Sequence, residues 1–319
     1  MWGGRRLETV LHKKLPGPGP YGEAWEISDC GEDRSVVIDG PWSGCDLASL
    51  IQAHPEAILG RAGSRFPLLF KTIEAAEPLS VQVHPADADR VWAGPACAGK
   101  TEAWVILDAE PGARIVYGPE SDRDREALFR AAEARDSKLV ERLLPWFSVR
   151  RGDVVFLPAG TIHAIGAGIL LLEVQQTSDI TYRIHDWDRA GLDGKPRELH
   201  LAASRQVRAR PQGIPCPIAT LEPKGRATWP LVACEYFRID GVSVAKGGEA
   251  FTISTRHPQG RGFVAIAGVE GNARLTASGG FVAEIGPGDF LLIPAACPEA
   301  TLTAKSDRFV GILAREGDR

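Results

Sequence analysis

A turn written twice limits what this chain can fold into. Residues 152–165 read GDVVFLPAGTIHAI, and residues 288–300 read GDFLLIPAACPEA. In each, Gly-Asp leads into an apolar run that stops at Pro-Ala. A second pair stands upstream in the same order: EPGARI at 110–115 and EGNARL at 270–275, each a short turn between apolar runs. Two matches in one order point to a duplicated β unit rather than to two generic turns. The punctuation agrees, because 35 glycines and 23 prolines lie between short apolar runs instead of in one tract. Such spacing is the mark of many short strands.

Candidate strands in the first part are LLFKTIEA, LSVQVHP, EAWVILDA, RIVYG, DVVFLPA and ILLLEVQQ. In the second they are EYFRIDGVSV, GFVAIAGVEG, ARLTA, GGFVAEIG and DFLLIPA. Two segments, 46–60 and 121–147, instead carry apolar residues at helical spacing. Ser121 and Asp122 supply an N-cap for the second, and Pro145 a stop. The proline-punctuated stretch 209–228 reads as a linker. The expectation is a mainly β chain of two barrels of one kind. Residues 1–222 form a chemically active domain with a helical insertion, and residues 223–319 a stripped-down copy.

Bulk properties remove several functions. A net charge of -4 with a pI near 6.0 and no dense Lys/Arg block argues against nucleic acid. The short basic run RQVRARP at 205–211 reads as solvated linker. No apolar core marks the first nineteen residues as a signal peptide, and no stretch approaches the ~18–20 apolar residues of a bilayer span. Cys30, Cys45, Cys97, Cys216, Cys234 and Cys297 are scattered without a Cys-x-x-Cys pair, which fits reduced thiols in a cytoplasm.

The intact turn aims His163 at a fixed point, as a metal ligand requires, although a lone histidine of this kind is more often packed core. Gln82 and His84 in LSVQVHP are two apart and share a strand face, and so do Lys100 and Glu102 in GKTEAW. Two histidines, a carboxylate and a carboxamide can therefore converge, a donor set suited to zinc or another first-row dication. In LLLEVQQTSDITYRIHDWDR at 170–189, a carboxylate ending an apolar strand needs a partner. Glu173 is therefore expected to meet Arg183 or a ligand, while Asp186 and Asp188 are read as surface ion-pair residues. In the late copy, constant spacing sets Glu299 opposite His163 and Gly262 opposite Glu102, so two ligand positions are lost together. Cys297 there is read as packing.

The pattern Gly, five residues, Pro-x-Gly, two residues, His is met in full from Gly152 to His163, and it resembles the cupin turn. Together with LSVQVHP, GKTEAW, PAGTIHAI, LLLEVQQTSDITYRIHDWDR, GKPRELH and an early GEAWEIS, the chain resembles the short bacterial type I mannose-6-phosphate isomerases over most of residues 1–225. The resemblance implies two cupin-type (jelly-roll) barrels and one zinc ion per chain, held by Gln82, His84, Glu102 and His163. It implies Arg183 as the catalytic arginine, Lys100, Glu173 and Asp179 as active-site polar groups, and Ser80 and Arg189 as phosphate contacts. The implied reaction interconverts mannose 6-phosphate and fructose 6-phosphate through an enediol, with Glu173 or Lys100 moving the proton. A buried lysine beside zinc is expected to have a lowered pKa. A cytoplasmic monomer or weak homodimer acting on a small sugar phosphate follows. The rivals are an isomerase of other sugar preference, a non-catalytic sugar-binding cupin and an iron oxygenase. Gln82, Lys100 and Arg183 count against the last.

Overall fold

The computed structural model describes residues 2–89, 92, 98–119, 121–191, 194–210, 214–257 and 260–318; Cys97 and part of the 209–228 linker lie outside them. The chain is mainly β and divides into two compact units. One comprises Met1–Arg6, Leu15–Ala24 and Thr72–Ile218; the other comprises Leu7–Lys14, Trp25–Lys71 and Ala219–Arg319. The late junction falls four residues before the expected boundary at 222/223. The sequence did not indicate that 7–14 and 25–71 join the second unit, because strand periodicity does not record which sheet a strand enters.

In the first unit, Ile169–Gln176, Glu102–Ala109 and Asp153–Leu157 lie side by side in one sheet. A second sheet runs in the order Tyr182–His185, Val81–Val83, His163–Ile165, Arg114–Tyr117, Trp146–Ser148. The inner faces of both meet in one core that includes Trp104, Ile106, Ile115, Tyr117, Val155 and Leu171. The outer face of the second sheet packs Val81, Val83 and Ala164 against Leu128, Phe129 and Val140 of the helical insertion. That insertion is two helices, Asp122–Glu133 and Ser137–Leu143. Ser121 caps the first and Asp136 the second, and Pro145 follows the end. The 46–60 segment of the second unit likewise breaks into Leu47–Ala53 and Pro55–Leu59.

The second unit repeats the plan. Arg308–Glu316, Val264–Glu270 and Phe290–Ile293 are neighbours in one sheet. The other sheet runs Phe251–Ser254, Glu299–Ala304, Ala273–Ala277, Val282–Ile285. Among the described residues neither unit closes its hydrogen bonding into a barrel; each is a pair of open sheets over a shared core. Both central strands even carry a bulge at the equivalent place, at Leu107 in one and Val269 in the other.

The repeated letters do the same structural work twice. Gly152 and Gly288 sit at φ 88 and 81, where a side chain would be strained. Asp153 accepts the Arg150 amide at 2.9 Å, and Asp289 accepts the Gly286 amide at 2.8 Å. Register corrects the constant-spacing alignment, however. Glu102 opposes Leu157, just before Pro158, and Val264 opposes Ile293, just before Pro294. His163 opposes both Gln82 and Tyr117, whereas Ala300 opposes both Ile253 and Ala277. The late counterparts of Glu102, His163 and Gln82 are therefore Val264, Ala300 and Ile253, all core residues, and not Gly262 and Glu299. The hairpin after the bulge is two residues shorter in the second unit and its Pro-Ala turn is one longer, which hides the true register from a fixed offset.

Candidate metal and active site

The site lies in the first unit, where the two sheets face each other. The five-stranded sheet sets Arg183, Gln82 and His163 in one row, since Arg183 and His163 are each directly opposite Gln82. Residues opposed across antiparallel strands present their side chains to the same face. His84 follows two residues after Gln82 and shares that face. From the other sheet come Glu102 and Trp104, also two apart, and Glu173, directly opposite Trp104.

His84, Glu102 and His163 converge, with one ligand atom from each lying within 4.8 Å of the others, and all three are buried. His163 Nδ1 donates to the Thr161 carbonyl at 2.9 Å and His84 Nδ1 to the Ile180 carbonyl at 2.9 Å. Only N–H can donate to a carbonyl, so each ring carries its proton on Nδ1 and turns the Nε2 lone pair inward. Burial pushes the His163 pKa down to about 4, which keeps that lone pair available at neutral pH. Glu102 Oε1 lies 3.3 Å from His163 Nε2, and Glu102 Oε2 lies 3.6 Å from His84 Nε2. The Gln82 carboxamide nitrogen is 3.2 Å from His163 Nε2, and turning the amide over presents its oxygen there instead. Two neutral imidazoles, a carboxylate and a carboxamide around one point fit a first-row dication.

Lys100 adjoins this cluster. Its Nζ lies 2.9 Å from Glu102 Oε2, 3.1 Å from His84 Nε2 and 3.9 Å from Glu173 Oε1. Burial alone lowers its pKa, but Glu102 and Glu173, with a smaller contribution from Glu23, outweigh this and raise it. The carboxylates of Glu102 and Glu173 thus act against the lowered value expected of this lysine. Glu173 is buried and accepts the Trp104 indole N–H at 2.8 Å. It therefore meets Trp104 and Lys100. Arg183 is half-buried, and its Nη1 donates to the Glu198 carbonyl at 2.9 Å. Its buried Nε has no hydrogen-bond partner among the described residues.

The remaining expected residues stand apart. Asp179 is exposed, and among the described residues no hydrogen bond or ion pair ties it to the cluster. Ser80 is buried immediately before the Val81–Val83 strand. The Arg189 guanidinium is committed to the Pro78 carbonyl at 2.6 Å and to Asp186 at 2.8 Å. Asp186 is not a surface residue: it is buried between Arg189 and Arg197. Arg189 also lines a cavity of about 680 Å³ with His185, Asp186 and Arg197, which Ser80 does not line. Trp104 is the residue the sequence reading passed over. Its ring meets His163 edge-on at 5.5 Å, and its place two residues after Glu102 was the available signal.

Comparison with known proteins identifies relatives of the chain. The family described as phosphomannose isomerase type I, catalytic domain, matches residues 1–94, which hold Gln82 and His84 but end before Glu102. The mannose-6-phosphate isomerase ManA of Bacillus subtilis (strain 168) is 35% identical over 315 residues, covering 98% of this chain and 95% of its own. The mannose-6-phosphate isomerase of Streptococcus mutans serotype c is 38% identical over 239 residues, 75% of this chain and 74% of its own. The crystal structure of the mannose 6-phosphate isomerase from Bacillus subtilis superposes with a TM-score of 0.82 at 30% identity, covering 98% of this chain and 95% of that one. The chain belongs to the type I phosphomannose isomerase family and is an isomerase.

Proposed function

We propose that this chain interconverts mannose 6-phosphate and fructose 6-phosphate through an enediol, with zinc held by His84, Glu102, His163 and Gln82. The observation that carries the reading is the buried His84–Glu102–His163 cluster with Lys100 and Glu173 beside it. Duplicated two-sheet units fit the cupin-type double barrel that the turn pattern implies. A cytoplasmic monomer or weak homodimer belongs to the same reading.

Isomerisation needs an open-chain sugar to lose a proton from C2 and regain one at C1 while charge builds on O1 and O2. A dication at the cluster supplies Lewis-acid stabilisation of that charge without redox side reactions. Arg183 shares the face of Gln82 and His163, and its uncommitted Nε can meet an oxygen as charge develops, which is where binding lowers the barrier. Lys100 and Glu173 lie within 3.9 Å of each other and are the two groups able to pass the proton between carbons. Trp104 fixes the Glu173 carboxylate through its N–H and sets its buried ring edge-on to His163. The Thr161 and Ile180 carbonyls hold the two imidazoles in the ligand tautomer.

The test is direct. Purified protein given mannose 6-phosphate should produce fructose 6-phosphate, should stop on chelation and should recover with zinc. No product in metal-replete buffer overturns the reading.

A further inference from the structure

In the second unit a cavity lies where the register places counterparts of site residues. In register, His84 corresponds to Thr255 and Lys100 to Gly262. Both line a pocket of about 370 Å³ with Arg61, Arg256, Arg261 and Arg315. That volume is the size of a small-molecule site and too small for a polymer. Four arginines surround it, against the single carboxylate of Glu316, in a chain whose net charge is -4.

Two of the four are already committed in part. Arg61 forms a two-bond pair with Glu316, at 2.6 and 2.9 Å. Arg315 reaches Asp240 only at 3.5 Å, and Arg238 takes that carboxylate more closely, at 3.0 Å. The other two are not. Arg256 and Arg261 stand directly opposite each other on a two-stranded ribbon, and neither guanidinium has a hydrogen bond or ion pair among the described residues. Like charges placed opposite across a strand pair repel, so this ribbon carries an unfavourable contact that a bound anion would reverse.

The walls are built to stay in place. Gly60, at φ 80, ends the Pro55–Leu59 helix so close to the ribbon that a Cβ would lie 1.8 Å from the Arg261 carbonyl oxygen. The Ala295 and Ala296 amides bond the Ile58 and Ala57 carbonyls at 3.1 and 2.8 Å. Buried Leu59 and Phe263 supply an apolar floor.

We infer that this cavity binds a small organic phosphate, with Arg256 and Arg261 gripping the phosphoryl oxygens and the carbon skeleton resting on Leu59 and Phe263. Planar guanidinium forks match phosphate oxygens in pairs, and a net excess of three positive charges suits a dianion better than a carboxylate. The inference does not depend on the isomerase reading, because no residue of this cavity belongs to the metal site.

The experiment reads each arginine separately. The whole protein is treated with phenylglyoxal at fixed ionic strength, alone or with glucose 6-phosphate, inorganic phosphate, sulfate or glucose. Modification at Arg256 and Arg261 is followed by peptide mass spectrometry. Glucose 6-phosphate should slow both sites by about tenfold or more, inorganic phosphate less, and glucose not at all. The R256S/R261S variant should retain isomerase activity and, by calorimetry, lose one of the wild type's glucose 6-phosphate binding events. Equal modification with and without glucose 6-phosphate, or equal protection by sulfate, overturns the proposal. Loss of activity leaves the labelling result on the natural chain as the deciding one.

Discussion

At the residue scale, the site works because protons are assigned by neighbours. The two carbonyls at Thr161 and Ile180 fix which imidazole nitrogen is bare, and the carboxylate of Glu102 faces both. His163→Ala should therefore lose bound metal, measured by elemental analysis, and lower activity by about a thousandfold or more. Arg183→Ala should keep the metal and lose turnover. A near-normal rate in Arg183→Ala would end its assigned role. Trp104→Phe keeps an aromatic ring in the core but removes the donor to Glu173. A hydrogen bond to a charged group is worth about 1.5–3 kcal/mol, so kcat should fall about tenfold or more with metal content unchanged. Retained kcat would show that the indole N–H does not position Glu173. The shared faces of Gln-x-His and Lys-x-Glu were legible because strand geometry alternates. Trp104 obeyed the same alternation, but its role depends on Glu173 opposite it, which is a pairing and not a spacing.

At the element scale, strands were easier to read than breaks. LLFKTIEA, EAWVILDA, ILLLEVQQ and ARLTA coincide with strands end to end, because apolar runs bounded by turn residues leave little choice. The 121–147 helix was read as one piece and is two. Arg135, with φ 55, makes the break, and Asp136 caps the second helix by accepting the Leu139 amide at 2.9 Å. Aspartates recur along the segment at Asp122, Asp124 and Asp136, so the residue type alone did not announce the turn. Ser121→Ala and Asp136→Ala should each cost about 1 kcal/mol in urea unfolding, since each oxygen serves one helix-end amide. A double variant costing no more than either single one would show that the two caps are not independent.

At the scale of the whole molecule, the proposed metal site would make stability depend on pH and on metal. In chelated protein the folded pKa of His163 is about 4 against an ordinary 6.5. The sign follows from the depressed value: the neutral ring is favoured by folding, so its contribution is complete above pH 6.5 and is lost as pH falls toward 4. The size is on the order of 3 kcal/mol for a buried group. Denaturant midpoints of the chelated protein should drop across that window, and added zinc should raise them at neutral pH by mass action. A flat profile between the two values would show that His163 is not held neutral by burial. Among the described residues no helix is long and apolar enough to cross a membrane.

By itself the sequence determined the mainly β character, the duplication, the shared Gly-Asp turn and the residue types able to hold a metal. Each of these is a local property, set by backbone sterics at Gly152 and Gly288 or by alternation along one strand. Only the tertiary structure decided the exchange of 7–14 and 25–71 into the second unit. It alone gave the true counterparts Val264, Ala300 and Ile253, and the joining of Trp104 to Glu173. Those depend on which strand lies beside which and in what register. One bulge or a two-residue change in a hairpin resets that register without disturbing any local pattern.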